Sequence, residues 1–185
     1  SGSKGTVGGA TGNRATAAIH SQLVNLVLPP NKQQFTYGDG SVSKHFFVIS
    51  LKRSRMREKM DPGNWELELS GSKAKIGHDI RLIDDSKSTT NPEAGIGGRV
   101  FNVVSGSIRS GVSSIPTAAS VTGSAYGLFY PDLGLIVLNA DMIKNKSSFG
   151  DGMEGVLQTS DANVGNARKF FNQVKGGAYF QARRE

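Results

Sequence analysis

The chain has 185 residues, with 22 Lys and Arg against 15 Asp and Glu, a formal net charge of +7. That length makes one domain and can bury a core without a metal or disulfide staple. The absence of Cys excludes disulfide frameworks, thiolate zinc sites and cysteine nucleophiles.

No run nears the roughly 18 apolar residues of a membrane-spanning helix, so no membrane partner is expected. Gly contributes 24 residues and Pro 6, a composition that suits short strands joined by many turns. The first residue is Ser1, and the chain stops directly after a strand-like segment. It is therefore expected to be an excerpt, or the ordered part, of something longer.

Residues 1–18 are small, polar and Gly-rich. They offer too little apolar area to offset their ordering entropy alone, which predicts a flexible arm that orders only on a partner, with Arg14 as its anchor. Residues 19–185 form a single β-rich domain. The run Leu23-Val24-Asn25-Leu26-Val27-Leu28 stops at Pro29-Pro30 and reads as a buried strand. Tyr37-Gly38-Asp39-Gly40 is a turn before the strand His45 to Leu51, and Asp61-Pro62-Gly63 is a second turn. Beyond it Trp65-Glu66-Leu67-Glu68-Leu69 alternates, so Trp65, Leu67 and Leu69 share one face, with Trp65 expected in the core.

Further strands are predicted at Ile80 to Ile83, Val100 to Val104, Tyr126 to Tyr130, Leu135 to Leu138 and Ala178 to Ala182. Pro131-Asp132-Leu133-Gly134 has the chemistry of a hairpin connection. Helical spacing occurs at Ala167, Phe170, Phe171 and Val174, and a shorter helix is predicted from Asn139 to Ile143. Residues 105–124 and 144–163 read as long Gly/Ser-rich surface loops, a length that is unusual unless the loop touches something. The expected fold is mainly β: an antiparallel β-sandwich or barrel-like domain with one or two short helices.

The sharpest charge feature is Lys52-Arg53-Ser54-Arg55-Met56-Arg57-Glu58-Lys59, five positive charges and one negative, so +4 of the net +7 lies in eight residues. If the preceding strand continues, Arg53, Arg55, Arg57 and Lys59 share a face. Two partners suit them: nucleic-acid phosphates, with binding that falls steeply with salt, or an acidic neighbouring subunit. The alternative is a solvated edge strand whose charges prevent pairing. No aromatic residue is interleaved with these cations, as a single-strand platform would require.

Other chemistry is thin. Gly8 to Ala15 superficially matches a dinucleotide-binding glycine loop, but no strand precedes it and no alternation of strands and long helices follows, so no cofactor is expected. His20, His45 and His78 lack metal-ligand spacing. Asp39 and Asp151 lack the oxygen periodicity of a calcium loop. His78-Asp79 and Asp84-Asp85 are acid–base candidates, but Asp84-Asp85-Ser86-Lys87 reads more simply as a turn after a strand. No Ser, His and acid set has a nucleophile-elbow context. The expectation is no catalytic residue, no metal and no enzyme.

Six segments in order carry a resemblance: Phe46 to Arg53, Lys59 to Leu67, Ile80 to Ser86, Gly98 to Ser107, Tyr126 to Asn139, and Phe170 to Arg183. Together they resemble virion structural proteins of T4-like marine cyanobacterial myophages, tail or baseplate components, over about residues 44–183. The resemblance implies a virion location after assembly in the host cytoplasm. It also implies other tail proteins and further copies of the chain as partners, and longer family members. It brings no catalytic residue. Family members look less basic around Arg53 to Lys59, which marks that run as a contact particular to this chain. A receptor- or glycan-binding tail module is a further alternative, for which Trp65, Tyr126 or Tyr130 would have to be exposed.

Overall fold

The computed structural model describes residues 12–43, 46–52, 54, 58–69, 80–88, 93–109, 112–114, 126–146 and 178–184. The first element is a helix, α1 (Gly12–Val27), where the sequence suggests an arm followed by a strand. The strand expectation is corrected. Ala15, Ala17 and Ala18 favour helix intrinsically. His20, Leu23, Val24 and Val27 then fall on one 3.6-residue face, with Val24 and Val27 buried and Asn25 and Leu26 left outside. Pro29-Pro30 stops this helix as firmly as it would stop a strand, and the Leu28 N–H still bonds the Val24 carbonyl (2.8 Å). Because α1 runs through residue 18, residues 12–18 are helical rather than extended. Residues 1–11 lie outside the described residues.

The strands follow as β1 (Phe35–Thr36), β2 (Val42–Ser43), β3 (Phe46–Ser50), β4 (Met60–Leu69), β5 (Ile80–Asp84), β6 (Glu93–Gly95), β7 (Gly98–Ser105), β8 (Ser107–Arg109), β9 (Val112–Ser114), β10 (Gly127–Tyr130) and β11 (Leu135–Asn139). After them come α2 (Ala140–Lys146) and β12 (Ala178–Arg184). The fold is mainly β and antiparallel, as the sequence indicates. The main sheet runs β12-β4-β5-β7-β10-β11-β3 and curls as a half-barrel, while β6 pairs with the start of β7. The pairs β1-β2 and β8-β9 are separate hairpins. The second lies within residues 105–124, so that stretch is not simply a loop.

Side-chain alternation divides the core between the two sheet faces. On one face Trp65, Leu67, Leu82, Phe101, Phe129 and Ile136 pack together, closed by Ile143 of α2. On the other, Leu128, Tyr130, Leu135 and Val137 meet Val24 and Val27 of α1 and Phe35 and Tyr37 of the β1-β2 hairpin. His20, Phe35 and Phe46 join helix, hairpin and sheet there, with ring centroids 4.4 Å apart for His20 and Phe46 and 4.9 Å for Phe35 and Phe46. This explains two sequence patterns. β10 and β11 are covered on both faces and read as unbroken apolar runs. β4 is covered on one face, and its other face carries Glu66 and Glu68 beside Arg81 (3.9 and 3.3 Å).

Trp65 is fully buried, 5.2 Å centroid to centroid from Phe129. As the single Trp, it is expected to fluoresce at a blue-shifted wavelength and resist iodide quenching. Emission at the wavelength of free tryptophan would contradict this core.

Several local readings meet particular outcomes. The Tyr37 to Gly40 turn and the Pro131 to Gly134 hairpin form, each closed by a backbone bond from its last glycine (2.8 and 3.2 Å). Asn139 caps α2 by accepting from the N–H groups of Asp141 and Met142 (3.1 and 3.3 Å). Asp61-Pro62-Gly63 does not separate two elements. It lies inside β4 as a bulge, where the pairing with β12 slips between Ala182 opposite Trp65 and Arg184 opposite Met60. Gly63 takes φ +77 there, a backbone conformation that side chains disfavour. The helical spacing at Ala167 to Val174, His45, His78-Asp79 and Asp151 all lie outside the described residues.

Candidate interaction site at the basic connection

The strand before the basic run ends at Ser50. The expected continuation, which would align Arg53, Arg55, Arg57 and Lys59 on one face, is not present among the described residues. Arg53, Arg55 and Arg57 lie outside them. Lys52, Ser54 and Glu58 are exposed, and Lys59 is half-buried. Arg14 is placed in α1 by its backbone alone, far along the chain from the run and with no described contact to it.

What the sequence does not show is how the run is held. The Leu51 N–H donates to the Gly134 carbonyl (3.0 Å), and the Met60 N–H donates to the Pro131 carbonyl (3.1 Å). The two ends of the connection carrying Lys52 to Lys59 are thus fixed to opposite ends of one four-residue turn. The same turn carries Asp132. Its carboxylate accepts from the Arg99 backbone N–H (3.0 Å) and pairs with the Arg99 guanidinium (3.3 Å), so the β6-β7 turn is tied in as well.

Partial burial works to raise the Asp132 carboxyl. The Arg99 hydrogen bonds and the positive charges of Arg99 and Lys59 outweigh it and hold the group below the ordinary carboxylate range. A carboxyl depressed in the folded state stabilises above its unfolded pKa and loses that contribution as pH falls through the folded value. Asp132→Asn is therefore expected to flatten the acid side of the stability–pH curve. The loss at neutral pH should be about 1 kcal/mol or less, because the pair is partly solvated. Chemical denaturation at several pH values checks both parts, and an unchanged acid limb would contradict the assignment.

The adjacent acids have structural work. Asp84 is buried and accepts the Gly63 N–H on both oxygens (2.9 Å each) and the Ser86 N–H (3.0 Å). It thereby holds the β4 bulge against the end of β5. Asp85 stands where β5 leaves β7. Its N–H donates to the Asn102 carbonyl (3.1 Å), and its carboxylate accepts from the Asn102 N–H and Nδ2 (2.9 and 2.8 Å). The side chain replaces the next ladder bond while the backbone turns away to Ser88. A turn does follow the strand, but it runs from Asp85 to Ser88 with Asp84 as the last residue of β5, and the burial of Asp84 and Asp85 was not legible. Asp39 is occupied locally by the Ser41 N–H (2.9 Å). Among the described residues no three His, Cys, Asp or Glu side chains gather as a metal site.

Tyr126 and Tyr130 are buried with Trp65, so none of the three stands as an exposed stacking platform. Among the described residues no helix is long and apolar enough to cross a membrane. No protein-family model matches the chain, and comparisons with curated proteins and with solved structures find no match either.

Proposed function

We propose that this chain is a non-enzymatic structural component of a virion, placed in the tail or baseplate of a contractile phage tail, and that it works by burying surface against other subunits. The observation that carries the reading is the anchored basic connection. A rigid hairpin turn fixes both ends of a segment bearing +4 and gathers Arg99 and Asp132 beside it. Fixed ends lower the ordering cost of docking, which favours a defined protein contact. The buried acids support the same reading, since Asp84 and Asp85 are spent on backbone N–H groups. The resemblance of residues 44–183 to cyanophage virion proteins supplies the assembly.

Purified particles are expected to contain the chain at a constant ratio to other tail proteins. Arg53→Glu combined with Arg55→Glu should leave the fold intact and reduce incorporation. Recovery only from infected-cell lysate, with none in particles, would overturn the proposal.

The second reading is a nucleic-acid-binding protein using Arg53, Arg55, Arg57 and Lys59. The charge density of the run favours it. Affinity falling by orders of magnitude between low and moderate salt in filter binding would select it. The structural reading predicts little retention at either salt concentration.

A further inference from the structure

The main sheet ends at β3, which pairs with β11 on one side, and among the described residues no strand pairs with it on the other. The ladder fixes which of its backbone groups face outward. In an antiparallel pair, alternate residues exchange both backbone bonds with the partner, and the residues between them point both groups away. Leu51 continues the register by one pair and donates to the Gly134 carbonyl, so Phe47, Ile49 and Leu51 bond toward β11. The N–H and C=O groups of Phe46, Val48 and Ser50 therefore face away from the sheet. The Asn139 N–H fixes the same phase independently, since it donates to the Tyr126 carbonyl on the β10 side and not to its β3 partner Phe46.

Sheets protect such edges with Lys, Pro or a bulge. The opposite edge strand, β12, has a slip in its pairing and ends in Arg183 and Arg184. β3 reads Phe46-Phe47-Val48-Ile49-Ser50 in unbroken register and carries none of these devices. Cations follow it directly: Lys52 is exposed, and Lys52 to Lys59 bear +4.

We infer that this edge receives an extended acidic segment of a neighbouring protein, added antiparallel to β3, with its backbone bonded to Phe46, Val48 and Ser50 and its carboxylates on Lys52 to Lys59. Two features together select that occupant. The outward backbone groups are matched by another extended chain, and the cations that continue from the edge select carboxylates on it. Antiparallel addition repeats the pairing found throughout the main sheet. It places the acidic part of the segment N-terminal to the part paired with β3. A second copy fits less well, since it brings another net charge of +7 to the same cations. The inference rests on the assembly reading above and gives it a docking mode.

Two synthetic peptides of identical composition test it on the full chain. One carries four Glu followed by Val-Thr-Val-Thr-Val, and the other has the same residues in reverse order. In fluorescence anisotropy at moderate salt, the acid-first peptide is expected to bind at least about tenfold more tightly than its reverse. Ser50→Pro removes an outward N–H and no bond to β11, a position where an edge strand tolerates Pro. It should weaken the acid-first peptide by about tenfold, with Trp65 emission unchanged. An acid-first affinity no higher than that of the reverse, including no binding of either, would overturn the inference, and this comparison needs no variant. So would dimerisation of the chain alone that Ser50→Pro abolishes, which would mean that a second copy takes the edge. Absence of the chain from virions would overturn the assembly reading and leave the peptide result as it is. Equal peptide affinities, with Arg53→Glu and Arg55→Glu still reducing incorporation, would overturn this inference alone.

Discussion

Gly127→Ala is expected to destabilise the protein by about 3 kcal/mol or more, at or beyond the upper end of what overpacking usually costs. Gly127 begins β10 between β7 and β11, opposite Val103 on one side and Leu138 on the other. A methyl group there would collide with the backbone carbonyl of Val137 and approach the Leu138 Cα to 3.1 Å. Neither obstacle is a flexible side-chain end. Relief requires β10 and β11 to separate at the centre of the sheet, where Phe129, Ile136 and Leu138 pack. A domain's whole stability is about 5–15 kcal/mol, so the variant should lose a large share of it. The urea midpoint should fall strongly with the slope unchanged. A midpoint within error of the parent would mean that these strands are not so closely apposed.

The second large effect is expected at Asp84. Replacement by Ala leaves the Gly63 and Ser86 N–H groups without their carboxylate, and a buried donor left unsatisfied costs about 1–3 kcal/mol. A total of roughly 2–4 kcal/mol is expected, with the β4 bulge loosened. Burial is the main influence on this carboxyl and raises it, with the Asp85 charge adding, while hydrogen bonds from Ser86 and Gly63 oppose the rise. A carboxyl raised in the folded state favours folding while protonated, and that contribution is lost as pH rises through the folded value. Asp84→Asn keeps an acceptor for Gly63 and removes the titration. It should therefore cost less than Ala and abolish that fall in stability with rising pH. Equal midpoints for Asp84→Ala and the parent would contradict the bonding described here. The opposite pH sign expected for Asp132→Asn makes the two carboxyls separable in one experiment.

The sheet was largely legible because its signals are local. Phe46 to Ser50, Val100 to Val104 and Leu135 to Leu138 are apolar runs bounded by turn residues, and Pro131 to Gly134 carries hairpin chemistry in four letters. The first helix was misread because Leu23 to Leu28 contains five apolar residues in six, too dense and too short to distinguish a period of 3.6 from a buried strand. Leu26, exposed on the helix, supplied the false match. Asp61-Pro62-Gly63 was misread as a turn between elements, because Pro and Gly mark a turn and a strand bulge alike. Its place inside β4 depends on Asp84, which reaches it from the neighbouring strand, and no local pattern encodes that bond.

The candidate site divides in the same way. Its charge was visible in Lys52 to Lys59, since composition alone reports it. The anchoring to Pro131 and Gly134, and the recruitment of Arg99 by Asp132, arise from contacts between segments distant in sequence. The one local hint was an acid directly after Pro131, at a turn position where a carboxylate can accept neighbouring N–H groups.

The proposal that this chain acts as a tail subunit through its anchored basic connection is tested most directly by a reconstruction of the assembled particle. The account predicts repeated copies in the tail or baseplate, with the Lys52 to Lys59 segment seated on an acidic surface of another subunit. A particle that lacks the chain, or that carries it with this segment facing solvent in every copy, would contradict the account.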